Sequence, residues 1–96
     1  MTVFAVVASD GRDKIKEAIE VRFVEHDRLE VGGGLWFVDT DLATAKEVVY
    51  FIRSGSSEDT ESNQFEVRSF IVLPMKTYFG MHKRSVWEWV MSRGDQ

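Results

Sequence analysis

Cysteine is absent from the sequence, which excludes disulfide bonds, thiolate zinc sites, iron–sulfur clusters and a cysteine nucleophile. Long apolar runs are absent as well. The longest, from Val3 to Ala8, has six residues, whereas a membrane-spanning helix needs about 20. No basic segment precedes this run, as one would in a secretory signal. We therefore expect a cytoplasmic protein with no membrane partner.

A large charge of one sign is also lacking. The chain has 12 Lys and Arg residues against 16 Asp and Glu residues, a net charge of −4, which argues against a nonspecific polyanion binder. The charge is unevenly distributed, because residues 1–64 carry −6 and residues 65–96 carry +2. In the basic part, His82, Lys83 and Arg84 are adjacent and form a candidate anion-binding corner. The alternative for these three residues is a solvated charged turn.

The 96 residues are 44% hydrophobic, enough to build the core of one domain spanning residues 1–96. The β-branched run Thr2–Ser9 predicts a strand. From Asp10 onward, apolar residues recur at three- or four-residue spacing and predict an amphipathic helix with Asp10 as its N-cap. Segments 27–31 and 35–38 flank three glycines and predict a β-hairpin.

A second amphipathic helix is expected to run to about Arg53, with Asp39 and Asp41 supplying capping side chains. Residues 54–64 are small, polar and acidic, which is typical of a flexible surface loop. A further strand is predicted from Phe65 to Leu73, before a proline. In the tail, residues 75–96, we expect a short strand around 76–79 and a short helix starting at the capping-box spacing 85–88.

This order of elements, strand, helix, strand, strand, helix, strand, predicts an α+β fold. With right-handed crossovers it gives a ferredoxin-like βαββαβ sandwich, in which a four-stranded antiparallel sheet carries two helices on one face. The C-terminal strand and short helix follow as a tail.

Both faces of the predicted sheet are apolar, because hydrophobic side chains occupy both alternate sets of positions in the strands. An apolar face left open would exceed the patch size usual for a monomer. We therefore expect a homodimer packed through the sheet, with the tail as the alternative cover. The residues predicted to form the dimer interface are Phe4, Val6, Trp36, Val38, Phe70 and Val72.

Asp10 is the main candidate for chemistry, because a carboxylate just beyond the first strand could hold Mg²⁺. Its alternative role is the helix cap, as for Asp41. The two histidines, His26 and His82, are too few for a histidine-rich zinc site. No cofactor is expected unless Asp10 binds magnesium.

Three passages resemble a known family: Val3 to Asp10, Leu35 to Leu42, and Phe70 to Leu73 leading to Trp87-Glu-Trp89. Together they look like the small SinR-like proteins, which are similar in fold to CRISPR-associated spacer-acquisition endonucleases, VapD toxins and the GhoS antitoxin. The resemblance implies a ferredoxin-like homodimer packed through the sheet. In nuclease members, an aspartate ending the first strand binds Mg²⁺ across the dimer, and the matching residue here is Asp10.

The leading functional hypothesis is a non-catalytic homodimeric interaction protein, and its more specific form is a nucleic-acid-associated accessory of a defence or toxin–antitoxin system. The alternative is a Mg²⁺-dependent endonuclease of RNA or DNA that uses Asp10 from both subunits as the metal ligand and catalytic residue. A third hypothesis is an inhibitor that covers a strand or helix of a protein partner.

Overall fold

The computed structural model describes residues 2–76 and 83–93. Four strands form one sheet: β1 (Thr2–Ala8), β2 (Arg28–Gly32), β3 (Leu35–Thr40) and β4 (Phe70–Pro74). Three α-helices accompany the sheet: α1 (Arg12–Arg22), α2 (Ala45–Ser54) and α3 (Arg84–Met91). A single 3₁₀ turn, Glu25–Asp27, joins α1 to β2. Among the residues described, no helix is both long and apolar enough to cross a membrane.

All strand pairs are antiparallel, and the strand order is β2-β3-β1-β4. The α+β class and the four-stranded antiparallel sheet are therefore confirmed. Helices α1 and α2 pack against the face of the sheet that we call the helical face. Helix α3, from the tail, packs against the opposite face, which we call the second face. Part of the tail lies outside the described residues, including His82 and all but the first residue of the strand predicted around 76–79.

The helix starts differ from the predicted ones. Helix α1 is preceded by Gly11 in the left-handed conformation, and Asp10 accepts a hydrogen bond only from the adjacent amide of Gly11, at 2.8 Å. Helix α2 begins after Thr44, whose hydroxyl accepts from the amide of Glu47 while the Glu47 carboxylate accepts from the Thr44 amide. This capping box satisfies two otherwise free amides. The N-cap of α1 is therefore Gly11 and not Asp10, and the N-cap of α2 is Thr44 and not Asp41.

Helix α3 likewise lacks the predicted cap, because it begins at Arg84 after Lys83, without a side-chain capping bond. The last strand is shorter than predicted: it starts at Phe70 rather than at Phe65. Glu66 and Ser69 have positive φ angles of 55° and 57°, which interrupt the extended backbone. Sequence alternation alone did not reveal this interruption.

Residues 54–64, the predicted loop, connect α2 to the residues before β4. Side-chain hydrogen bonds join the end of this loop to α1 and to Val67. Arg22 donates to the Gln64 side chain at 2.8 Å and to the carbonyl of Ile52 at 3.3 Å. Asn63 bonds both the amide and the carbonyl of Val67, at 3.0 and 2.8 Å. With its backbone groups engaged by a side chain, Val67 has none to offer a strand partner.

The core of the domain lies between the helical face and the two helices that cover it. The residues predicted to form a dimer interface belong to this core: Phe4, Val6, Trp36, Val38 and Val72 are buried, and Phe70 packs against them. A second subunit has no access to them, so this assignment was wrong. Both alternate sets of strand residues are apolar, so the sequence pattern does not show which set the helices cover. Helices α1 and α2 cover the set that was predicted to form the interface.

Candidate interaction surface

The second face carries the other alternate set of strand residues, and α3 covers only part of it. Val86 and Val90 of α3 are buried together with Val3 and Phe37 of the sheet. The ring of Trp89 lies 6.3 Å from that of Phe37, centroid to centroid. The tail therefore closes the part of this face that lies near β2 and β3.

Among the residues that the structure describes, none covers the remaining part of the second face. Val7, Ile71 and Leu73, which we call the open strip, are 37%, 61% and 51% exposed. Val7 is paired directly with Ile71 across β1 and β4, and Ala5 is paired with Leu73. Because side chains alternate along a strand, these residues all project from one face. They form a contiguous apolar surface beside the sheet edge.

A buried ion pair fixes the end of α3 to the sheet. The Nε atom of Arg93 lies 3.5 Å from Oδ2 of Asp39, and the two side chains are only 8% and 10% exposed. Arg93 also donates to the carbonyl of His26, and its guanidinium carbon stands 3.8 Å from the centroid of the Trp89 ring. These contacts fix the residue that follows α3 to the end of β3 and to the turn before β2.

Burial raises the pKa of the Asp39 carboxyl above its usual value, while the guanidinium of Arg93 opposes this shift. The carboxylate of Asp27 raises it further. Oδ1 of Asp39 is buried and accepts no hydrogen bond from the residues that the structure describes. Asp39 is therefore a carboxylate held in a poorly solvating site by one main counter-charge.

Asp10 lies at a separate place, at the end of β1 and on the surface. It lines a cleft of about 200 Å³ with Lys14, Glu66 and Arg68. Lys14 and Glu66 form an ion pair at 3.3 Å. Beyond its bond to the amide of Gly11, the Asp10 carboxylate faces solvent, so it is accessible to a cation or to a basic partner.

The candidate metal ligands of residues 2–76 and 83–93 are histidine and carboxylate side chains. No group of three or more histidine or carboxylate side chains in this part of the chain is arranged to hold an ion. Glu66, the other carboxylate of the Asp10 cleft, is occupied by Lys14. Asp10 is therefore not part of a cluster of three or more metal ligands among the described residues.

The basic corner predicted at residues 82–84 is described only in part, because His82 falls outside the described residues. Lys83 precedes α3, and Arg84 is its first residue. Arg84 lies 3.6 Å from Glu88 one turn later, and both side chains are largely exposed. The acidic partner offsets part of the positive charge that the sequence placed at this corner.

Neither the Asp39–Arg93 pair nor the exposure of the open strip was predicted from the sequence. One signal for the pair was available: Asp39 is a charged residue that directly continues the apolar run of β3. A carboxylate in such a position is buried unless the strand ends before it, and a buried carboxylate requires a counter-charge.

These features define a small α+β protein in which α3 covers part of an apolar sheet face. Comparisons of the chain with protein-family models, with curated proteins and with solved structures found no match.

Proposed function

We propose that the chain is a ferredoxin-like interaction protein that forms a homodimer by packing its open strip against that of a second copy. The twofold succession of strand, helix and strand, with the sheet order β2-β3-β1-β4, supports the ferredoxin-like assignment. The observation that carries the dimer is the exposure of Ile71 and Leu73, side by side with Val7, on an otherwise buried face.

A second copy suits this surface because it offers the same apolar strip and no opposing charge within it. Closed twofold pairs are the commonest protein assemblies, and they bring identical patches together. Each fully buried Ile or Leu side chain contributes roughly 1.5–3 kcal/mol. Three such residues per copy predict a dimer that forms at micromolar concentrations.

Replacing Ile71 by Asp should abolish this dimer. The substitution puts a carboxylate in the middle of the strip on both copies, so the dimer dissociation constant should rise at least about 100-fold. Sedimentation equilibrium or light scattering at high micromolar concentration measures the effect. The wild type is expected to have twice the mass of the variant.

Val21→Asp is the matched control. Val21 lies on α1, is 59% exposed, and so resembles Ile71 in exposure while lying outside the second face. This control should keep the dimeric mass. A monomeric wild type at the highest concentration tested would contradict the proposed dimer, as would equal masses for the two variants.

A second candidate function, a Mg²⁺-dependent endonuclease, is favoured by one observation. The Asp10 carboxylate is solvent-facing at the end of β1, in a cleft that also has Arg68 to contact a phosphate. In this alternative, Mg²⁺ would be held between two copies by the paired Asp10 residues, with water and phosphate oxygens completing its coordination.

An RNA and DNA cleavage assay, with and without Mg²⁺, separates the two functions. Under the leading proposal, neither the wild type nor Asp10→Ala cleaves any substrate. Cleavage that requires both Mg²⁺ and Asp10 would instead establish the endonuclease and overturn the non-catalytic proposal. The dimeric mass of Asp10→Ala should equal that of the wild type in either case, since Asp10 lies outside the open strip.

A further inference from the structure

The outer edge of β4 is a second surface, distinct from the open strip because it consists of backbone groups. Strand order leaves β2 and β4 at the two edges of the sheet. In residues 2–76 and 83–93, β4 pairs only with β1. An unprotected edge offers a row of amides and carbonyls to another strand.

The ladder shows which groups of β4 face outward. The amide of Met75 donates to the carbonyl of Val3 at 2.9 Å, and the carbonyl of Ser69 accepts from the amide of Ser9 at 2.8 Å. Odd-numbered residues thus bond inward to β1. Because antiparallel strands alternate, the amides and carbonyls of Phe70 and Val72 point outward. Pro74 adds an outward carbonyl, and its missing N–H removes no bond to β1.

The two edges differ in how well they are protected. The edge strand β2 has a register shift between Glu30 and Gly32, and Glu30 forms an ion pair with Lys16 of α1 at 3.5 Å. Bulges and charges of this kind deter strand addition. Strand β4 has neither: its pairing with β1 runs unbroken from Phe70 to Pro74, and all five of its residues are apolar.

A basic residue stands at each end of this apolar edge. Arg68 lies two residues before β4 and Lys76 two residues after it, and both are exposed. Neither residue forms an ion pair or hydrogen bond within the described part of the chain. Arg68 shares its cleft with Asp10, Lys14 and Glu66, of which the last two neutralise each other.

We propose that the β4 edge binds an extended segment of a partner protein, antiparallel to β4, with alternating apolar side chains and a carboxylate at each end. The outward groups of Phe70, Val72 and Pro74 would form the new ladder. The apolar side chains of the segment would continue the second face beside Ile71 and Leu73. Its carboxylates would meet Arg68 and Lys76.

Charge complementarity selects such a segment over a second β4. Antiparallel pairing of two β4 strands about Val72 would bring the Arg68 end of one strand to the Lys76 end of the other. Like charges directly opposite each other destabilise a strand pair. The homodimer proposed above packs face to face through side chains and leaves the edge backbone available, so the two surfaces can be tested separately.

The test uses a fluorescently labelled peptide, acetyl-Glu-Val-Thr-Val-Thr-Val-Thr-Val-Glu-amide, whose nine residues match the span from Arg68 to Lys76. Titration with the full chain and fluorescence anisotropy measure its binding. N-methylation of the fifth peptide residue, opposite Val72, should weaken binding about tenfold, because that amide donates to the ladder. N-methylation of the fourth residue, whose amide points away, should change it little.

Charge reversal provides the second arm. The double variant Arg68→Glu, Lys76→Glu should bind the acidic peptide at least about fivefold more weakly and prefer a peptide with Lys at both ends. Its melting temperature verifies folding. The proposal is overturned if the acidic peptide does not bind, or if binding is indifferent to the N-methyl position or to the charge reversal.

A second copy at the edge has its own signature. Arg68→Glu alone would place a carboxylate opposite Lys76 and strengthen self-association through β4. A rise in mass of this variant above that of the wild type would assign the edge to a second copy and contradict the peptide proposal. Failure of the face-to-face dimer is registered separately, by the mass of the wild type and of Ile71→Asp.

Discussion

Arg93→Met is expected to lower the free energy of unfolding by about 3–5 kcal/mol. The substitution keeps most of the side-chain stem but removes the charge that faces Asp39. Asp39 would then be a buried carboxylate without its main counter-charge, in a site where burial already raises its pKa. The loss should also loosen α3, which carries Trp89 under the guanidinium.

Urea denaturation followed by circular dichroism measures this change, and a double variant isolates its cause. Asp39→Val combined with Arg93→Met removes both charges and fills the site with apolar atoms. Replacing a buried pair as a unit is often neutral or stabilising. The double variant should therefore recover most of the lost stability. If it is as unstable as Arg93→Met, packing of the arginine stem is the cause instead of the unpaired charge.

The same variant should have a distinctive dependence on pH. Loss of Arg93 removes an interaction that lowers the pKa of Asp39, so the folded-state pKa rises further above the unfolded value. Such a group favours folding at low pH, and this contribution is lost as pH rises through the folded pKa. The stability deficit of Arg93→Met relative to wild type should shrink as pH falls from about 7 toward about 4. A deficit that stays constant over this range would sink the electrostatic explanation.

Gly34→Ala is expected to destabilise the protein by about 3 kcal/mol or more. Gly34 has a φ of +85°, and a Cβ atom there would lie 2.8 Å from the backbone carbonyl oxygen of Ala8. Its own carbonyl accepts a 2.8 Å hydrogen bond from the amide of Ala8. The clash therefore falls on the contact between the β2–β3 turn and the end of β1, where neither backbone can move without losing this bond.

Gly33→Ala is the control for this substitution. Gly33 also has a positive φ, +62°, but a Cβ atom there would meet nothing within 4 Å. Only the conformational penalty of a left-handed residue applies, about 1 kcal/mol. Thermal or urea unfolding of both variants gives the comparison. Equal destabilisation would show that the approach to Ala8 contributes nothing beyond the φ angle.

Local patterns predicted much of the fold. The three- and four-residue spacing of Ile15, Ala18 and Ile19 correctly indicated α1 and its buried side. The hairpin around the glycines and the short helix in the tail were also correct as elements. The helix starts were less predictable. Asp10, Asp41 and Ser85 have side chains suited to capping, but the N-cap positions are occupied by Gly11, Thr44 and Lys83.

The candidate surfaces were harder to predict than the elements. Alternation in β1 and β4 identified two apolar sets, and the set chosen as the interface proved to be the core. Asp10 was correctly expected beyond the end of β1, but its neighbours Glu66 and Arg68 come from a distant segment. The Asp39–Arg93 pair joins the end of β3 to the residue that follows α3, a contact that no local spacing indicates.

The sequence by itself determined the composition of the elements: strands with two apolar faces, amphipathic helices, and no thiol chemistry. Tertiary structure alone decided which face α1 and α2 cover, how far α3 closes the other, and that β4 remains an edge. The reason is that the alternation of apolar residues shows which side chains are hydrophobic, and in these strands it is the same for both faces of the sheet. Only the packing of distant segments distinguishes the buried face from the open one.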